Sequence, residues 1–515
     1  MTVIRPFNRF YLYYSLLIFF AIPAIVNAQN KFVDDSLDIY IKREMSRWQI
    51  PGVAVAIVKD GKVVVSKGYG VKSIGEKGNV DENTLFQIAS NSKAFTGTSI
   101  AILDYEKRLS LDDKVTRWMP GFKLYDELAT REATIRDLLC HRIGLQTFQG
   151  DFLNWGSNLS RKDLIDRFHL HKPAYSFRSK WGYCNLAFLT GGEIIPLVTD
   201  TSWDDYIYYH FFLPLRMSHT SSHFSALIND NNACKAHTLV DGKLVIIPYA
   251  DVDNLGPAAS INSCVKDLAN WLIMNLDSGR FEGKTIVPWE ALFNVRSSQM
   301  VIREPRSAMN PSNHFSTYGL GWKMEDYLGR KIIHHSGGAD GFVTSTCIVP
   351  EERLGIIVLT NTDANSFYDA LRRQIIDAYT NAPYKNYSEL FYQRGIVNTV
   401  EENKKINEWK STVLKKNKMP LSINSFNGVY KNEVYGNATV VSEAGKLFIH
   451  FEHHPSLVGN LEYLDDNMFL CTFNDPTYGV KTFPFEVIDG KVKSITISVN
   501  DFIDFMTYKF EKNAY

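Results

Sequence analysis

Runs with strand character lie at residues 53–58 and 62–66, hinged on Asp60-Gly61, and then again at 320–324, 331–334, 344–349 and 354–359. Helical and loop pattern occupies residues 90–280 between them, with further helices expected at 36–48 and 366–380. A hairpin that starts a sheet, a long helical excursion and a return to strands is the order expected of an α+β fold. It predicts an antiparallel sheet flanked by helices.

After residue 382 the character changes. The charged run Glu401-Glu402-Asn403-Lys404-Lys405 and the stretch Lys415-Lys416-Asn417-Lys418 predict a solvated helix and linker over residues 383–419. Beyond Pro420 come short alternating runs at 438–441, 447–451, 468–473, 482–487, 492–498 and 505–510, separated by turns such as Glu443-Ala444-Gly445-Lys446 and Asp489-Gly490-Lys491. These predict a small antiparallel β-barrel over 420–515, with its Phe and Tyr side chains forming its core.

At 45% hydrophobic and 22% charged residues, a 515-residue chain buries enough apolar surface for two or three domains, which excludes disorder. Lys+Arg and Asp+Glu are both 56, so no net charge draws the chain to nucleic acid. Arg5 and Arg9 precede an apolar stretch over residues 10–26, and Val26-Asn27-Ala28 before Gln29 has the small residues of a processing site. Residues 1–28 are therefore expected to be a signal peptide, addressing the chain to the periplasm or outside the cell. An uncleaved membrane anchor and homo-oligomerisation stay open. The six cysteines show no C-x-x-C spacing and are expected to be mostly buried thiols.

Ser90 and Lys93 stand one helical turn apart in Phe86-Gln87-Ile88-Ala89-Ser90-Asn91-Ser92-Lys93, which places a hydroxyl and an amine on one face. A serine in the first turn of a helix also offers its own free backbone N–H where an oxyanion would form. The pattern S-x-x-K is weak alone, since on the order of two chance matches are expected in such a chain. The second match, Ser263 to Lys266, opens an amphipathic run and is read as a helix cap. Ser90 differs because an apolar, strand-like run at 85–88 feeds it and small residues surround it.

For Lys93 to act as a base it must lose its proton, which requires burial or a neighbouring positive charge, and a second polar group to relay protons. Tyr183-Cys184-Asn185 supplies a phenol and a carboxamide two positions apart. Lys331 to Phe342 contains His335-Ser336-Gly337, the only H-x-G of the chain, followed by Gly338, where a strand edge could present an N–H to an oxyanion.

In this order, Ser90/Lys93, Tyr183/Asn185 and His335-Ser336-Gly337 resemble the motif set of the serine β-lactamase and penicillin-binding protein superfamily, nearest its class C and esterase/D-peptidase branch. Similar landmarks are Pro51-Gly52-Val53-Ala54-Val55-Ala56, Leu138-Leu139-Cys140-His141-Arg142-Ile143-Gly144-Leu145, Tyr318-Gly319-Leu320-Gly321-Trp322 and Val358-Leu359-Thr360-Asn361. The resemblance spans about residues 33 to 380 and places a hydrolase domain over 29–382. The β-run region resembles the lipocalin-like domains appended to some members.

The resemblance implies that Ser90 forms an acyl-enzyme, that Lys93 and Tyr183 share general base and acid duty, and that Asn185 holds Lys93 and contacts substrate. Backbone N–H groups of Ser90 and Gly338 would form the oxyanion hole, with His335, Ser336 and Gly337 lining the pocket. The substrate would be a small ester, an amide or a peptide with a D-residue. The alternative is a penicillin-binding or wall-fragment-sensing protein with little turnover. His335 stands where many members carry a lysine for the substrate carboxylate, so efficient β-lactam hydrolysis is not expected.

Other chemistries lack their signals. There is no G-x-S-x-G and no H-E-x-x-H, and His169, His171, His453 and His454 lack partners at metal-ligand spacing, so they are read as surface residues. No cofactor or metal is expected.

Overall fold

The computed structural model describes residues 31–303 and 313–513, so the expected signal peptide lies outside the described residues. Helix α1 (Leu37–Trp48) leads into a hairpin of β1 (Gly52–Lys59) and β2 (Lys62–Gly70). Its turn places Asp60 and Gly61 at φ +51° and +76°, the backbone that tight hairpins require. The helical excursion contains α2 (Ser92–Tyr105), α3 (Asn185–Gly192) and α4 (Val265–Leu276). The chain then returns as β3 (Met300–Arg303), β4 (Ser316–Tyr318), β5 (Lys323–Tyr327), β6 (Arg330–Ala339), β7 (Phe342–Val349) and β8 (Leu354–Thr360), before α5 (Phe367–Thr380).

These strands form one sheet in the order β2-β1-β8-β7-β6-β5-β4-β3. The first hairpin closes against the last strand, with Val53 opposite Thr360 and Thr360 opposite Val343. Strands β7 and β8 are buried along their whole length, as expected of strands covered on both faces. Alternate side chains serve separate cores: Ala54, Ala56, Ile357 and Leu359 pack with Phe95, Leu268 and Leu272, whereas Val53, Val55, Ile356 and Val358 pack with Leu37, Ile41, Leu371 and Ile375. The chain is thus an α+β protein with an antiparallel sheet between helices.

Several local expectations shift. Residues 320–324 are mostly turn, because Gly321 at φ +93° lies so near α2 that a Cβ would stand 2.3 Å from the Lys93 carbonyl oxygen. Strand β6 runs straight through Gly337 and Gly338, and the turn falls at Asp340-Gly341. Ser263 is not the cap of α4; Cys264 holds that position, and Ser263 Oγ instead meets Thr220 Oγ1 at 2.7 Å. All six cysteines are buried and free. His171, His453 and His454 are buried, correcting their reading as surface residues.

Helix α6 (Tyr387–Leu414) follows, tied to the first domain at its start, where the Trp48 indole donates to Ser388 Oγ at 2.8 Å and Ser388 donates to Glu44 at 2.6 Å. It leads to β9 (Gly428–Asn432), β10 (Gly436–Glu443), β11 (Lys446–Phe451), β12 (His454–Asp465), β13 (Met468–Phe473), β14 (Val480–Ile488), β15 (Lys491–Ile497) and β16 (Tyr508–Lys512). These eight strands close into a barrel through pairing of Tyr430 with Lys512. Strands β9 and β12 escape the sequence reading because polar and glycine residues interrupt their alternation, and β16 starts only at Tyr508. Phe426, Phe469 and Phe485 fill the interior with ring centroids 4.9–5.2 Å apart, the side-chain packing expected inside a barrel of this size.

The barrel docks on the first domain around Phe152. This ring stacks on His454 (5.3 Å, 7°) and Tyr435 (5.4 Å, 26°) and meets Phe451 edge-on at 5.4 Å. Among the described residues, no helix is long and apolar enough to cross a membrane.

Candidate active site

Ser90 lies in a 3₁₀ turn (Ala89–Asn91) immediately before α2 rather than inside the helix, with Ala89 forced to φ +46°. Such a conformation costs on the order of 1–3 kcal/mol for a non-glycine residue and is a common mark of functional turns. Lys93, one turn later, is fully buried. Its Nζ donates to Asn185 Oδ1 at 2.6 Å and to the Ala258 carbonyl at 2.9 Å, and lies 3.2 Å from Ser90 Oγ.

The first two partners can only accept. A neutral amine has two N–H bonds and one lone pair, so with both N–H bonds committed the lone pair is left for the Ser90 hydroxyl proton. Burial pulls the Lys93 pKa down to about 7, with the negative charge of Asp151 acting against this and the positive charge of Lys323 reinforcing it.

Tyr183 precedes α3 and is buried, its ring 4.6 Å from Lys93 Nζ. It packs tilted against His141 at 4.4 Å (37°), and His141 Nδ1 accepts the Cys184 N–H at 3.0 Å, which locks the segment. Burial holds the phenol well above its ordinary pKa, partly offset by the Ser90 hydroxyl, so it stays protonated. Among the described residues, the Tyr183 hydroxyl has no partner at ordinary hydrogen-bond geometry.

Strand β6 forms the opposite wall. Its pairing with β5 ends at His334 opposite Lys323, so residues 335–338 continue without that neighbour and border the cavity. Gly337 is required there, because a Cβ would meet the Ile88 carbonyl oxygen at 2.0 Å. His335 has both ring nitrogens engaged, Nδ1 with the Ser336 carbonyl at 2.7 Å and Nε2 with Tyr318 Oη at 3.0 Å. Burial drives its pKa well below the usual value, so it is a neutral imidazole. Lys331 turns away to donate to the Arg296 carbonyl.

The structure brings Ser90, Tyr183, Asn185, His335, Ser336, Gly337 and Gly338 to one cavity of about 290 Å³, with Lys93 beneath it. Other contributors were missed in the sequence, among them Asp151, Lys323, Phe502 and Ile503. Asp151 accepts from Asn185 Nδ2 at 2.7 Å. Lys323 lines the cavity from the first position of β5, its Nζ 5.9 Å from the Trp181 ring. Phe502 and Ile503 reach in from the barrel. None belongs to a recognisable local pattern, because Asp151, Lys323 and the Phe502-Ile503 pair come from three separate segments and meet the serine only in the folded chain.

Outside this site, His219, Cys264 and Asp267 bring potential ligand atoms within 4.8 Å. Asp267 Oδ2 already accepts the His219 N–H and the Thr220 hydroxyl, and burial raises the Cys264 pKa.

Residues 37–380 match the family model described as Beta-lactamase. The chain belongs to the Beta-lactamase family. Residues 415–512 match a second model, a domain of unknown function (DUF3471). Among curated relatives, protein flp from Staphylococcus aureus strain MW2 is 29% identical over 361 residues, covering 68% of this chain and 67% of that protein. Unguisins hydrolase ungD' from Aspergillus campestris is 26% identical over 375 residues, covering 69% and 67%. An octameric penicillin-binding protein homologue from Pyrococcus abyssi superposes with a TM-score of 0.58 at 20% identity, over 92% of this chain and 99% of that one. That likeness extends the shared fold beyond the Beta-lactamase domain into the barrel.

Proposed function

We propose that this Beta-lactamase family member is an exported serine acyl hydrolase that turns over a small ester, amide or D-residue-containing peptide through an acyl-enzyme. The arrangement of acceptors around Lys93 carries this reading, since it leaves the amine lone pair for Ser90. In the forward step the Ser90 proton passes to Lys93 as Oγ bonds to the substrate carbonyl carbon. The oxyanion is received by the N–H groups of Ser90 and Gly338. Collapse breaks the bond to the leaving group, which takes a proton from the Tyr183 phenol or the Lys93 ammonium. Water attacks the acyl-enzyme by the reverse proton path.

The cavity, at about 290 Å³, is at the small end for a ligand site, which favours a compact acyl group. With His335 neutral, the cation facing this cavity is Lys323, so a substrate carboxylate would be received on β5 rather than on β6. The leader at residues 1–28 supports export.

Intact mass after mixing with an activated ester tests the reading. A transient adduct on the parent and none on Ser90→Ala is the expected result. A persistent adduct would favour the sensing alternative, and an adduct on both proteins would overturn the nucleophile assignment.

A further inference from the structure

Asp151 connects the reactive lysine to the barrel. Its Oδ2 accepts from Asn185 Nδ2 at 2.7 Å, and Asn185 Oδ1 accepts from Lys93 at 2.6 Å, so one carboxamide links carboxyl and amine. The two peptide N–H groups that flank Asp151 in sequence, those of Gly150 and Phe152, both donate to Oδ2 of Asp504, at 3.1 and 3.2 Å. Asp504 belongs to the barrel loop that also supplies Phe502 and Ile503 to the cavity. Tyr508 donates to the same oxygen at 2.9 Å and Tyr435 at 3.3 Å, which builds a buried carboxylate site at the domain junction. Both carboxyl groups are nearly inaccessible to solvent.

We propose that Asp151 is the counter-anion of Lys93 and that Asp504 is a positioning residue which, when the barrel is docked, disfavours the ionised form of Asp151 and so weakens its hold on the Lys93 proton. The charged and titratable groups around Asp151 are Lys93 from α2, Tyr183 and Cys184 from the segment before α3, and Asp504 from the barrel. Burial raises Asp151 to about 7, and the Asp504 charge pushes in the same direction. The charges acting on Lys93 itself are Asp151, Cys184 and Lys323, so Asp504 works through Asp151. Negative charge on Asp504 disfavours the Asp151 carboxylate with Lys93 ammonium, and favours the neutral pair. The loop that narrows the cavity thereby also controls the base.

This inference rests on the acyl-hydrolase reading for its consequence, but its test does not need turnover. The ¹³Cε signal of Lys93 in lysine-labelled full-length protein, assigned by its loss in Lys93→Arg, reports the titration directly. Asp504→Asn should move the Lys93 titration to higher pH by about half a unit or more, because Asp151 then ionises more readily. Asp151→Asn should move it to lower pH by on the order of one unit, because the counter-anion is gone. Tyr508→Phe removes a donor that favours charged Asp504, and should give a smaller shift in the Asp504→Asn direction. It decides the matter if Asp504→Asn releases the barrel.

Opposite shifts for the two asparagine variants support the proposal, since a purely structural role gives no reason for opposite signs. Shifts of the same sign, or no shift in folded Asp151→Asn and Tyr508→Phe proteins, would overturn it. Loss of ester turnover with these opposite shifts intact would instead count against the hydrolase reading alone.

Discussion

Lys93 Nζ lies 3.2 Å from Ser90 Oγ while its remaining hydrogen-bonding capacity is taken by Asn185 and Ala258. The pair is therefore aligned for proton transfer before any substrate arrives, and the properties of the site follow from how the surrounding groups set the charge of one amine.

With Lys93 at about 7, the protonated amine cannot accept the Ser90 proton below that pH. Activity against an activated ester, followed as kcat/KM, should fall about tenfold per unit below pH 7 and level off above it. Lys93→Arg, which keeps its proton across this range, should remove the plateau. A profile unchanged by that substitution would exclude Lys93 as the base.

Tyr183→Phe keeps the ring against His141 and Lys93 but removes its buried hydroxyl beside Ser90. The expected loss in kcat is about 10²–10⁴-fold, with the melting temperature nearly unchanged, as for removal of a general acid. Comparing substrates with good and poor leaving groups checks the role. The loss should be larger for the poor one.

Lys323→Gln removes the cation from the cavity wall without touching the hydrogen bonds of Ser90. KM for a carboxylate-bearing substrate should rise roughly tenfold or more, while a neutral ester of the same size should show little change in KM. Lys323→Gln should also raise the Lys93 titration, because a like charge that lowers it has gone. Equal effects on both substrates would show that Lys323 does not read substrate charge.

Phe152 joins the two domains through His454, Tyr435 and Phe451. Phe152→Ala should cost about 3–5 kcal/mol of interdomain and core packing. Differential scanning calorimetry should then resolve separate transitions where the parent shows coupled unfolding, and limited proteolysis should cut within the exposed helix α6 more readily.

Much of the fold is legible because it depends on short-range pattern. The continuously buried runs of β1, β7 and β8 and the charged sequence of α6 each reflect burial or exposure along one element. Where glycine rules, the reading slips: Gly321 converts part of an apparent strand into a bend, and Gly337 and Gly338 carry β6 beyond its expected end at 334. At Gly321 and Gly337 the backbone answers to the Lys93 and Ile88 carbonyl oxygens of other segments.

By itself the sequence determined the sheet-and-helix class, the appended barrel, and the spacing of Ser90, Lys93, Tyr183, Asn185 and His335, because helical turns and family-like motifs act within a few residues. Only the tertiary structure decided which charges surround Lys93. Asp151, Lys323 and Asp504 are remote from it in sequence, and an amine's proton affinity depends on the dielectric and charges around it in space, which come into being only when the two domains are packed together.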